Sequence, residues 1–315
     1  MTDLVVRKVP WEFDGTVPFM WQPANPNFGL FCNVFTFIVV PFERYIVSVV
    51  RKAGDRLTED EELASETEAF LRQEAQHAAA HRKHMMSLVR CYPELERCYD
   101  DACKAYDDLI DEQPIEFHVA YIANLEVVSQ PLYRVVLDNP DSLFDGGDRR
   151  VASLIMWHFV EEIEHRSSGL KLCRHINADH PWYRVKQARR TLSHFGKLSE
   201  AVAKTFDEVI PFEDRGASAQ RAMSNSLFSE FIYRLPGVRH RRARRAGTPW
   251  VFHVVPTRQL VKMVWRTVLS LTPNHDPDGQ PLPEWAETWM REYERGTNMT
   301  TFFGTVPERV TATKG

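Results

Sequence analysis

The sequence predicts an all-α protein built on a four-helix bundle with additional C-terminal helices. Three observations predict it. Two Glu-x-x-His tetrads, Glu74 to His77 and Glu162 to His165, lie in stretches whose apolar residues recur at helical spacing. An isolated glutamate in apolar surroundings, first Glu43 and then Glu126, precedes each tetrad, so four candidate helices carry the order glutamate, tetrad, glutamate, tetrad. From Pro181 onward, further helical stretches alternate with breaks containing Pro and Gly.

Taken in order, residues 1–27 carry Pro10, Pro18, Pro23 and Pro26 with Trp11 and Trp21, a pattern that suits an extended N-terminal arm packed over the bundle, with no visible chemistry. The bundle core is expected over residues 28–180 and a helical extension packed on it over 181–315. The first helix should run from about Asn33 to Lys52 and end near Gly54, where a left-handed cap is easy; Pro41 inside it predicts a kink or a late start. The second begins at a capping box, Thr58 to Glu61, whose acids favour the positive end of the helix dipole, and runs to about Val89. The third starts at Pro114, a favoured first-turn residue, and reaches Pro131 or a little beyond, with Glu126 in its middle. The fourth follows the turn Asp145 to Asp148 and runs toward His175. Helical pieces at about 185–206, 217–234, 257–271 and 283–294 then form a second layer that covers the bundle or completes a substrate cavity.

At 315 residues, 43% hydrophobic and 26% charged, the chain can bury a large core and has no bias toward disorder. A net charge of −4 gives no field that would gather nucleic acid, and the basic run Arg239 to Arg245 reads as a solvated loop. The five cysteines, Cys32, Cys91, Cys98, Cys103 and Cys173, are odd in number and form no C-x-x-C pair, which argues against a disulfide framework or a zinc knuckle and for a reducing cytoplasm. No apolar signal core follows the first charges, so export is not expected. The long apolar stretch from Phe28 to Val50 is interrupted by Asn33, Pro41, Glu43 and Arg44, which suits a buried helix rather than a membrane span.

The tetrads carry the chemistry. A spacing of three residues at 3.6 per turn puts a carboxylate and an imidazole side by side on one helix face, where both reach the same ion. One tetrad alone is a weak signal, but the fourfold order is specific, and carboxylates in apolar surroundings cost several kcal/mol each unless paired or metal-bound. Glu43, Glu74, His77, Glu126, Glu162 and His165 are therefore expected to hold two metals inside the bundle, with Glu74 and Glu162 between the ions and Glu43 and Glu126 capping them. His158 lies four residues before Glu162 on the same stripe and is either a third histidine ligand or a histidine that orients one. Glu161 is the reserve for Glu162. His81 and His84, beside Arg82 and Lys83, are expected where the helix emerges into solvent. Phe28, Phe31, Phe35, Phe37 and Phe42 would line an apolar pocket or simply fill the core.

From about Phe28 to Cys173, and more loosely from Trp265 to Pro277, the chain resembles the predicted metal-dependent hydrolases. In ligand order, Glu43, Glu74, His77, Glu126, His158, Glu162 and His165 are also similar to the p-aminobenzoate N-oxygenase type of di-iron enzyme. These resemblances imply a ferritin-like di-iron carboxylate protein with two iron ions, manganese being allowed by the same donors. The leading functional expectation is a non-haem di-iron oxygenase that activates O2 to hydroxylate or N-oxygenate a small organic substrate. Electrons would come from a separate donor protein, since no nicotinamide-type glycine fingerprint is present. The alternative is a dinuclear metal-dependent hydrolase, in which the ions activate water and polarise a scissile bond; the family label favours it and the ligand pattern does not. A third reading, iron oxidation or iron binding, leaves the long C-terminal half without a purpose. A homodimer is compatible with the sequence, which does not encode the oligomeric state.

Overall fold

The computed structural model describes residues 4–57, 60–224 and 251–303. All regular structure among them is helical. Four helices form the bundle: α1 (Pro26–Ala53), α2 (Glu61–Cys91), α4 (Ile115–Leu137) and α6 (Arg149–Glu164), with α3 (Glu96–Glu112) between the second and third and a single-turn α5 (Pro140–Phe144) before the last.

The helix ends follow local chemistry. α1 starts earlier than expected because Asn25 caps it, accepting from the Phe28 amide, and Pro26 occupies the first turn. It then runs through Pro41 without interruption. Thr58 lies outside the described residues. The cap of α2 is Asp60, whose carboxylate accepts from the Glu62 and Leu63 amides at 3.1 and 3.0 Å. Pro114 caps α4 rather than opening it, and α4 passes through Pro131 to Leu137. Asp148 caps α6 by accepting from the Arg150 and Val151 amides. The fourth expected helix is in fact two: α6 ends at a C-cap formed by His165, and α7 (Ser168–Ile176) begins after a short turn.

α3 was not expected from the sequence, although Cys98, Ala102, Tyr106 and Leu109 are buried at three- and four-residue intervals along it and it packs on α1. Beyond the bundle lie α8 (Tyr183–Val209), the short α9 (Phe212–Arg215) and α10 (Ala219–Ser224), then α11 (Thr257–Ser270) and α12 (Glu284–Glu294). The expected helix at 217–234 is described only as far as Ser224, and the basic run 239–245 lies outside the described residues.

α4 is the hub. Buried almost all round, it packs against α1, α6, α7, α8 and α11, so Glu126 is carried in the middle of the molecule. By length and composition α1 could cross a membrane, but 72% of its most apolar stretch is buried inside the fold. The N-terminal arm lies over the bundle: Trp11 packs on Trp157, Phe13 on His84, and Trp21 on Phe28 and Phe144.

Candidate metal centre

All seven sequence-predicted site residues are buried, each at most 4% exposed, and they converge between α1, α2, α4 and α6. Six of them form two groups whose donor atoms lie within 4.8 Å of one another: Glu43, His77, His158 and Glu162 in one, and Glu74, Glu162 and His165 in the other. Glu126 adjoins the second, with its Oε2 3.8 Å from His165 Nε2.

The partition differs from the expected one. Glu74 and His77, one turn apart on α2, fall in different groups. His77 Nδ1 faces Glu43 and Glu162 at 3.9 and 3.7 Å, whereas Glu74 Oε1 lies 3.1 Å from His165 Nε2. Glu162 alone belongs to both groups; Glu74, also expected between the ions, belongs to one.

Each imidazole is oriented by a partner on its far side. His77 Nε2 lies 3.0 Å from Glu161 Oε2, so with Nε2–H donating there the Nδ1 lone pair points into the centre. His165 Nδ1 lies 3.0 Å from Gln73 Oε1, which leaves Nε2 facing Glu74 and Glu162. His158 Nε2 lies 3.0 Å from Glu162 Oε1 and its Nδ1 2.9 Å from His81 Nε2. Its ring stacks on that of His77 with centroids 4.4 Å apart.

This orienting layer is what sequence reasoning missed. His81 and His84, expected near solvent, are wholly buried, and Thr36 Oγ1 on α1 lies 3.2 Å from the Nδ1 of each. Arg82 and Lys83 point the other way because residues on opposite sides of a helix share no face. Glu161, held in reserve as a ligand, instead supports His77. The N-terminal arm, read as without chemistry, supplies Arg7, which is 3% exposed. Arg7 pairs bidentately with Glu164 at 2.7 and 2.8 Å, and its Nη1 lies 3.6 Å from Glu161. Gln73 joins the same network by donating to Glu164 Oε2. Nothing in the spacing of Arg7 marks it, and Lys8 beside it is an equally plausible surface cation. Tyr133 is stacked on Phe159, and burial, and then the charges of Glu162 and Glu126, hold its proton firmly.

The electrostatics are those of a cation site. Burial, and after it the charge of neighbouring glutamates, pushes the carboxyls of Glu43, Glu74 and Glu126 well above the ordinary range. Burial acts the same way on Glu162, but His165 and His158 outweigh it and hold that carboxylate well below the ordinary range. Burial presses His77 down to about 3 and His158 to about 4, so both rings are neutral donors at pH 7. Both oxygens of Glu43 and of Glu74, Oε2 of Glu126, Nδ1 of His77 and Nε2 of His165 are buried without any hydrogen-bond partner. Orphaned buried polar atoms are rare in native proteins, and here they point at one another. Two divalent cations would supply the missing partners and balance four carboxylates, and the mixed carboxylate and imidazole donors fit such ions.

The family model for predicted metal-dependent hydrolases matches residues 5–229, most of the chain. The chain belongs to this family. No curated protein and no solved structure matches it. The match begins at the arm that supplies Arg7 and runs through the whole bundle into α10, so this hydrolase-family region contains the candidate centre and its orienting layer together. It supports the hydrolase alternative raised by the sequence. The oxygenase reading that led there, and its assignment of iron, draw no support from it.

Proposed function

We propose that the chain is a hydrolase working through two divalent metal ions held by Glu43, His77, His158 and Glu162 on one side and by Glu74, Glu126, Glu162 and His165 on the other, with Glu162 shared. The orphaned donor atoms carry this reading, because a buried cluster of four carboxylates is costly unless cations occupy it. Ions bound there would lower the pKa of a water molecule toward neutrality and polarise the scissile bond. The chain's own residues do the rest. Glu161, Gln73 and His81 fix the three imidazoles, and Arg7 holds Glu161 and Glu164 in register. The apolar rings of Phe35 and Trp157, packed on His158 and His77, keep bulk water from the donors.

One observation favours a second reading. The donors are carboxylate-rich, include no thiolate and lie wholly inside the bundle, which also suits iron or manganese and oxidation of a small organic substrate by O2 with an external reductant.

Elemental analysis of protein purified without added metal, joined to two assays, separates the readings. The hydrolase reading expects close to two metal ions per chain and hydrolysis of ester, amide or phosphoester probes under strict anaerobiosis. Oxygen uptake after reduction, accelerated by an organic substrate and without anaerobic hydrolysis, would instead establish the second.

A further inference from the structure

Where α11 lies against α4, two hollows adjoin, sharing Pro131, Arg134 and Arg266: an outer cleft of about 460 Å³ and a narrow inner crevice. Five cations line them, Arg134, Arg166, Arg258, Lys262 and Arg266, against a single lining acid, Asp138. Arg166 donates to the backbone carbonyls of Pro277 and Ile163 and lies 3.8 Å from the Asp278 carboxylate, so its charge is already partly met. Arg258, Lys262 and Arg266 form no ion pair among the described residues.

Two buried groups in this place lack partners. Arg134 is 6% exposed; its Nη1 donates to the Pro281 carbonyl at 2.7 Å, while its Nη2 donates to nothing. Burial, reinforced by Arg266 and Arg166 and only partly offset by Asp138, pulls this guanidinium down to about 10. Gln130 is 5% exposed; its Nε2 donates to the Glu162 carbonyl at 2.8 Å, while its Oε1 accepts from nothing. A buried guanidinium edge left unmet, among further cations, is built for an oxyanion, and the fork geometry of arginine matches phosphate.

The cleft is tied to the candidate metal centre by the helix itself. Glu126, Gln130 and Arg134 follow at four-residue intervals on one face of α4, so Arg134 lies about 12 Å along the axis from Glu126. Gln130 stands between, bonded to the backbone of the shared ligand Glu162. We propose that this cleft binds the phosphate group of an anionic substrate. The assignment rests on the hydrolase reading. The excess of cations over Asp138 favours a phosphate dianion over a single carboxylate.

The test uses inorganic phosphate titrated calorimetrically into the full-length protein after chelation of its metals, so that the centre itself cannot capture the anion. Phosphate should bind at one site per chain, at least tenfold more weakly in Arg266→Gln, whose half-buried side chain can be removed without loss of helix by circular dichroism, and more weakly still in Arg134→Gln. In the metal-loaded protein, Arg266→Gln should raise KM at least tenfold, with kcat unchanged, for esters and amides carrying a phosphate group away from the scissile bond. Phosphate affinity that is absent, or indifferent to Arg266, overturns the proposal, as does succinate binding as tightly as phosphate or a loss confined to kcat. Metal content is read separately: a chain without bound metal sinks the hydrolase reading, whereas Arg266-independent phosphate binding sinks the cleft assignment.

Discussion

Replacing Glu162 by Gln takes a charged donor from both groups at once, and the metal content of the purified variant should fall well below one ion per chain. Glu43→Gln, which touches only the first group, should leave about one ion, measured by the same elemental analysis. Arg7 provides a test of the orienting layer. Arg7→Gln leaves the part-buried Glu164 without its bidentate cation, and breaking such a pair should cost about 1–3 kcal/mol, read as a lowered midpoint in denaturant. At this scale the burial and convergence of the seven candidates were legible, because i, i+3 spacing and apolar flanks are local signals. Arg7, Gln73 and the burial of His81 were not: each acts across contacts distant in the chain, and no local pattern reports them.

Helix α7 shows how an element positions a side chain. Gly169 lets it sit directly on α4, where an added Cβ would lie 3.1 Å from Glu126 Cγ and 3.4 Å from Ile122 Cγ2. Gly169→Ala should therefore displace Glu126 and weaken metal binding several-fold in a competition titration, with helix content unchanged. Asp60→Ala removes the cap of α2 and should cost about 1 kcal/mol without altering metal stoichiometry. The four bundle helices could be read from their apolar periods, although the start of α1 was missed because its Asn25 cap lies within a proline-rich stretch read as an extended arm. The division at His165 was hidden because Glu162 and His165 remain one turn apart whether or not the helix continues. α3 was hidden because its acidic surface masks a narrow apolar stripe.

For the molecule as a whole, the buried carboxyls set the response to pH. The folded, metal-free protein holds protons on Glu43, Glu74 and Glu126, and on Glu161, which burial pushes up to about 8. The unfolded chain gives up the same protons near pH 4.5. Folding then binds more protons than unfolding, so these groups contribute a stability that declines as pH rises. The buried histidines His77, His84 and His158 act in the opposite sense, but only up to their unfolded value near 6.5. Above about pH 7.5, where the unfolded histidines have lost their protons, the carboxyls dominate this set, and the melting temperature of chelator-treated protein should fall with rising pH. Metal-loaded protein, its carboxylates already paired with cations, should be nearly flat over that range.

Helix α1 places a heavy demand on biosynthesis. Among the described residues it is the helix long and apolar enough to cross a membrane, yet its Phe37 ring is covered by Phe206 of α8, 5.1 Å away and far later in the chain. At ribosomal rates of roughly 5–20 residues per second, on the order of ten seconds pass between the two. Through that interval a greasy nascent segment stands without its lid, so a cell lacking a ribosome-associated chaperone should yield more of this chain as inclusion bodies than as folded product.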